Sequence, residues 1–180
     1  MFAMNEKIVI SIFKSNFGEL ILGSFQNQLC ICDWKYRKMR TEIDKRIKTN
    51  LNSDFIVADS EIINKTQNQL VEYFNGSRKV FTIPLLLIGT DFQKKVWNEL
   101  LQIPYGTTLS YLKLSQKTGD SKAVRAVANA NGTNAISIIV PCHRIIGSNG
   151  KMVGYAGGIS IKEKLLSLEM NSQNEQLKLF

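Results

Sequence analysis

The stretch "KAVRAVANANGTNAISIIVPCHR", residues 122–144, carries more of the fold than any other part of this chain. It begins with small residues, Ala123, Ala126, Ala128 and Ala130, and places Lys122, Arg125 and Asn129 at i, i+3 and i+7. That spacing predicts a helix from Ser121 to about Asn131 with those three side chains on one face. The residues before it predict another helix from about Ser110 to Thr118, with Gly119 and Asp120 between them as a turn. Two short helices around a Gly-containing turn form the helix-turn-helix pattern. So lean a helix can lie close against a grooved object such as a DNA duplex. A packed alanine-rich helix with a solvated basic face is the other reading.

The same stretch ends in reactive groups. "AISIIV" (135–140) predicts a short apolar strand or extended run leading into Pro141, Cys142 and His143, the only histidine in the chain. A cysteine attacks as its thiolate, so a nucleophilic Cys142 needs a base or a positive field. Neighbours on an extended chain point to opposite faces, so a direct Cys142–His143 contact requires a turn; a water relay is the alternative. The second imidazole nitrogen needs an acceptor. Glu169 is the best-placed carboxylate, at the edge of the apolar stripe Ile161, Leu165, Leu168 on a final helix that opens with a Ser160–Glu163 capping box. Arg144 adds positive potential. Hydrolase, redox thiol and alkyl acceptor all fit these residues.

Upstream, Thr90 and Gln93 form another capping box, opening a helix with Phe92, Val96 and Leu100 on one face. Residues 5–34 read as a strand pair around the turn "SNFGE", and residues 35–48 as a loop or short helix. "SEIINKTQNQLVEYFNG" reads as a helix with a stripe through Ile62, Leu70, Tyr73 and Phe74. An extended segment follows, with Pro84 as the expected domain boundary. Cys30 and Cys32 have strand spacing and read as two buried cysteines on one side of the strand.

The chain of 180 residues has 23 basic and 15 acidic side chains, a net charge of +8. Residues 90–170 hold 10 of the basic and only 5 of the acidic groups, which suits a polyanionic partner. Three cysteines make no disulfide framework and fit a reducing cytosol. No apolar run approaches the roughly 18 residues of a membrane span, and no signal peptide is read at the N-terminus.

Three segments, "GTDFQKKVWNELLQIPYGTTLSY" (89–111), residues 122–144 with their "VPCHRIIG", and "GYAGGISIKEKLLSLE" (154–169), together resemble the O6-alkylguanine-DNA alkyltransferases, or methylated-DNA–protein-cysteine methyltransferases. The similarity is colinear over residues 89–170 and loose over 1–88, where "FGEL" and a strand ending in "DW" are reminiscent. It implies an α+β fold: a small β-rich, ribonuclease-H-like N-terminal domain (1–84) in a supporting role, a mostly helical catalytic DNA-binding domain with a helix-turn-helix (85–170), and a polar tail (171–180). By the resemblance, Cys142 accepts the alkyl group, His143 deprotonates it through a water, Glu169 orients His143, and Asn134 ties the backbone between the recognition helix and the active-site strand. Tyr111 would stand near a flipped base and its 3′ phosphate. Arg125 would enter the base stack, with Lys122, Ala126 and Asn129 also facing DNA. Tyr155, Ala156, Gly157 and Pro141 would form the pocket.

No cofactor is implied, and no metal, since the zinc-binding members need Cys and His ligands that this chain lacks. The implied partner is double-stranded DNA containing O6-alkylguanine, with O4-alkylthymine as a further candidate. The protein would be a cytoplasmic monomer with no membrane attachment, consumed by one transfer. The alternative is a helix-turn-helix sensor of alkylated DNA; relatives of that kind lack the cysteine that stands here as Cys142.

Overall fold

A computed structural model describes residues 6–177, with side chains described to residue 171. The N-terminal half is built on a β-meander: β1 (Ile8–Ser15), β2 (Gly18–Phe25) and β3 (Gln28–Trp34) pair antiparallel in sequence order. Gln26 and Asn27 both take positive φ, 49° and 58°, giving the two-residue turn whose twist matches the strands it joins. After α1 (Arg40–Leu51) the chain adds β4 (Phe55–Val57) parallel to β1, for a sheet order β3-β2-β1-β4. Helix α2 (Glu61–Phe74) covers one face of this sheet through Ile62, Ile63, Thr66, Gln69, Leu70 and Tyr73. Residues 35–48, ambiguous in sequence, thus divide into a loop and the start of α1.

The two cysteines of β3 do not face the same side. The pairing register slips between Gly23 and Ser24, a bulge that gives β3 one extra residue and breaks the two-residue alternation. Cys32 joins Leu20, Leu22 and Trp34 in the larger apolar cluster, and Cys30 joins Ile8, Ile43 and Ile47 in the smaller one.

The edge of β3 is where the two halves join. Leu29 N–H donates to Pro84 O, and Leu86 N–H donates to Leu29 O, so the segment around Pro84 runs parallel alongside the strand. Further along, Cys32 N–H donates to Ala135 O. The larger apolar cluster runs without interruption from Leu20 to Leu165.

The second half contains α3 (Asp91–Leu101), β5 (Leu109–Ser110), α4 (Tyr111–Lys117), α5 (Val124–Gly132), β6 (Ile145–Ile146) and α6 (Ile159–Leu177), with β5 and β6 paired in parallel. The Thr90–Gln93 capping box forms as the sequence predicts. Phe92, however, is exposed, and Trp97 takes the core position beside Val96 and Leu100, its indole N–H donating to Ala130 O at 2.8 Å.

Three local expectations change. Helix α5 starts at Val124, because the Asp120 carboxylate accepts from Lys122 N–H and holds residues 120–123 in a turn; Lys122 therefore precedes the helix, and only Arg125 and Asn129 share its face. Residues 135–140 form a compact turn and not a strand, with Val140 N–H donating to Ile136 O. Helix α6 begins one residue before Ser160, which precludes the expected box, and its buried stripe is Lys162, Leu165, Leu166 and Glu169. Among the described residues no helix is long and apolar enough to cross a membrane.

A buried ionic knot pins the join between the halves. Asp33, fully buried at the end of β3, accepts from Arg37, from Arg40 at 2.7 Å and from Ser137 at 3.1 Å. Arg37 also donates to Asn134 O and Gly132 O at the end of α5, where an arginine complements the helix dipole. Asp33→Ala would leave the buried Arg37 without its carboxylate and Arg40 with Asp44 alone. It should cost about 3–5 kcal/mol in denaturant-unfolding free energy, as loss of one member of a buried pair does.

Candidate active site

Cys142, His143 and Arg144 form one turn of 3₁₀ helix. A direct Cys142–His143 contact would have needed a turn, but the effect of this one is to aim the two reactive side chains at different partners. Cys142 lies 3% exposed at a cavity of about 560 Å³. His143 is fully buried and points back into the protein, its Nε2 2.8 Å from Glu169 Oε1.

Glu169 is the most heavily bonded side chain of the site. Its two oxygens accept five hydrogen bonds: from Tyr73 Oη (2.7 Å), His143 Nε2 (2.8 Å), Gly106 N (2.9 Å), and Arg144 Nε (2.9 Å) and Nη2 (3.0 Å). Burial alone would raise its pKa, but the bonds and charges of His143 and Arg144 outweigh that and hold it at about 2. A carboxylate that stays charged here fixes the imidazole's tautomer. Nε2 carries the proton that bonds Glu169, and Nδ1 is left with a lone pair that no donor of the described residues reaches. Burial also lowers the His143 pKa, which favours the neutral ring, and raises that of the Cys142 thiol. Burial thus disfavours both the thiolate and the imidazolium.

Asn134 braces the turn that carries Cys142. Its Nδ2 donates to Val140 O at 2.9 Å, and its Oδ1 accepts from Ile136 N–H at 2.9 Å. Within this loop Ile138 takes a φ of +73°, a left-handed conformation that costs a β-branched residue about 1–3 kcal/mol, and it is held there by its burial and its neighbours' bonds.

Tyr111, Tyr155, Ala156 and Gly157 line the cavity together with Cys142. Pro141 does not; it lines a separate cavity of about 380 Å³ with Ile139 and Arg144. Arg125, Ala126 and Asn129 are exposed on α5 and Lys122 on the turn before it, outside the cavity. The lining also contains Asn131 and Gly132 from the end of α5 and the loop Tyr36–Met39 from the N-terminal half. Trp34 braces the 154–158 loop, its indole N–H donating to Tyr155 Oη at 3.0 Å.

Several contributors lie beyond sequence reasoning. Lys162 is fully buried in α6 and its ammonium donates to the carbonyls of Ile145, Val153 (2.8 Å) and Gly154 (3.4 Å), tying the cavity loop to β6. A lysine in an apolar helical stripe was the available signal, since such a charge needs built partners. Tyr73, Gly106 and Asp33 carry no local signal, because their roles depend on contacts far along the chain. Among the described residues no group of three or more His, Cys, Asp and Glu side chains converges on a metal position.

Two outcomes follow from this geometry. Glu169 has a folded-state pKa depressed from 4.5 to about 2, so its contribution is present above pH 4.5 and lost as pH falls toward 2. Denaturation measured across that window should lose about 3 kcal/mol in the wild type, and Glu169→Gln should be less stable at pH 7 with a flatter acid limb. A Cβ at Gly157 would lie 2.8 Å from the Trp34 indole, which is buried and hydrogen-bonded to Tyr155. Gly157→Ala should displace the cavity loop and cost about 1–3 kcal/mol, read as a lowered melting temperature.

Comparison with known proteins agrees with the geometry. Residues 91–171 match the family model described as the 6-O-methylguanine DNA methyltransferase, DNA binding domain. A methylated-DNA–protein-cysteine methyltransferase of Methanosarcina acetivorans is 42% identical over 159 residues, covering 88% of this chain and 96% of that protein. The crystal structure of Mycobacterium tuberculosis OGT in complex with DNA superposes with a TM-score of 0.78 at 38% identity, covering 91% of this chain and 94% of that one. The O6-methylguanine-DNA methyltransferase of the archaeon Pyrococcus kodakaraensis, 19% identical with a TM-score of 0.50, shares the fold. With its buried Cys-His-Glu arrangement and this extent of similarity, the chain belongs to the methylated-DNA–protein-cysteine methyltransferase family.

Proposed function

We propose that this protein repairs DNA by taking the alkyl group from O6 of an alkylated guanine onto Sγ of Cys142, once per molecule. The observation that carries this reading is the placement of a buried thiol in the lining of a cavity, on the same short turn as an imidazole bonded to Glu169. In the transfer, the S–C bond forms as the C–O6 bond breaks. The thiol proton passes through a water to the free Nδ1 of His143, and a proton returns to the guanine ring so that the base leaves neutral. The thioether has no leaving group good enough for an imidazole-activated water to displace, so the protein is spent after one event.

The reactive carbon lies inside a paired and stacked base, so the nucleotide is extruded to reach Cys142. Tyr111, half-buried in the cavity, meets the flipped base. Helices α4 and α5 act as the helix-turn-helix, placing the exposed Arg125 where the base left the stack and Ala126 and Asn129 against the groove. Lys122, on the turn before α5, adds a phosphate contact, and such contacts make binding salt-dependent. The sheet of residues 6–84 is the ribonuclease-H-like support, and the protein acts as a monomer.

Mixing the protein with a duplex carrying one O6-methylguanine should add the mass of one CH₂ to the intact chain, stop at one equivalent, and fail in Cys142→Ser. His143→Gln should slow the single-turnover rate by about a hundredfold or more, the usual contribution of a positioned base. Addition that continues past one equivalent, or that survives Cys142→Ser, would refute the assignment.

A further inference from the structure

The cavity beside Cys142 is walled from both halves of the chain. Ala128, Asn131 and Gly132 of α5 line one part of it, and Tyr36–Met39, the loop that follows β3, line another. Nearly every polar side chain of that loop and its flanks is already engaged. Arg37 is buried on Asp33 and donates to Asn134 O at 2.8 Å, and Arg40 is held by Asp33 and Asp44. The Tyr36 hydroxyl donates to Glu19 Oε2 at 2.8 Å, and Lys35 pairs with the same oxygen at 2.9 Å. Lys38 is the exception. It is exposed, and among the described residues no carboxylate, carbonyl or hydroxyl pairs with it. Its ammonium therefore stands uncompensated at the rim of the cavity, on a loop whose position its neighbours fix.

What the cavity must admit gives this cation a partner. A nucleotide extruded from a duplex stays bonded to its strand, so the phosphates that flank it are carried toward the rim with it. The base enters and the anions stay outside. A lysine meets a phosphate as a point charge on a flexible four-carbon stem, so it needs no fixed geometry at an exposed rim. Tyr36 and Met39 on either side of it are 77% and 40% exposed, which leaves apolar surface next to the charge for a sugar to cover. Resting on the reading of Cys142 as acceptor from an extruded nucleotide, we propose that the N-terminal half touches the DNA itself: Lys38 binds a backbone phosphate flanking the extruded nucleotide in the lesion strand. The strand is thereby held by this loop as well as by α5, and the role of residues 6–84 extends beyond bracing the acceptor turn.

Equilibrium binding of the full-length protein to a duplex with one O6-methylguanine tests this, with Cys142→Ser as the parent so that no transfer intervenes. Adding Lys38→Ala should weaken binding about threefold to fivefold, the range of an exposed ion pair. It should also reduce the slope of log affinity against log salt by about one, as the loss of one phosphate contact does. The loss caused by Lys38→Ala should vanish when the phosphates on either side of the lesion are replaced by uncharged methylphosphonates. It should persist when the same replacement is made several nucleotides away. Because Lys38 is exposed and unpaired, the melting temperature should not change, so a loss of affinity is read as a loss of contact. Unchanged affinity in Lys38→Ala, or a loss that survives the neutral backbone beside the lesion, overturns the assignment while wild-type Cys142 is still methylated normally. Wild-type protein that gains no methyl from the lesion duplex overturns the acceptor reading, and this one with it.

Discussion

The buried charge of Glu169 is the constraint on which this site depends. A carboxylate removed from water is costly unless its lone pairs are filled, and here four residues fill them from three parts of the fold: Tyr73 on α2, Gly106 in the turn after α3, and His143 and Arg144 on the Cys142 turn. Satisfying one anion thus aligns α2, α6 and the turns around them. It also settles the protonation of the site, since a carboxylate held near pKa 2 keeps its hydrogen-bonded imidazole in one tautomer. Structural support and chemical preparation come from the same set of bonds.

A second buried anion, Asp33, does comparable work between the halves of the molecule. Through Arg37 it reaches the carbonyls at the end of α5, and through Ser137 it reaches the strained loop before Cys142. Trp34, the next residue, supports the cavity loop through Tyr155. The N-terminal half is therefore a bracket for the acceptor turn, and its own loop Tyr36–Met39 forms one wall of the cavity. That explains how a segment with only loose sequence similarity belongs to the functional unit: its contribution is made by a few side chains at the end of one strand.

Much of the second half was legible locally. The Thr90–Gln93 box, the Gly119 turn and the position of α4 follow from capping and turn chemistry, which acts over three or four residues. Cys142 and His143 were legible as candidates because a thiol and the only imidazole stand side by side, and Glu169 was legible as the acceptor from its place beside an apolar helix stripe, a role the family resemblance also implies. The failures have equally physical causes. Residues 135–140 have strand composition, yet Asn134 and Ser137 draw them into a turn by bonds to residues that sequence spacing does not reveal. The bulge in β3 reverses the side on which Cys30 lies, and a register slip leaves no mark on residue type.

What the sequence by itself determined was therefore α2 and most helices of the second half, the reactive pair and the family to which the chain belongs, since those rest on local spacing and on colinear motifs. Tertiary structure alone decided that Glu169 is buried on its helix stripe with five bonds, that Pro141 lines a different cavity from Cys142, and that Lys162 is buried on the carbonyls that tie the cavity loop to β6. Those are properties of buried polar groups. Whether such a group is satisfied depends on partners dozens of residues away, brought within 3 Å by the packing of the whole chain.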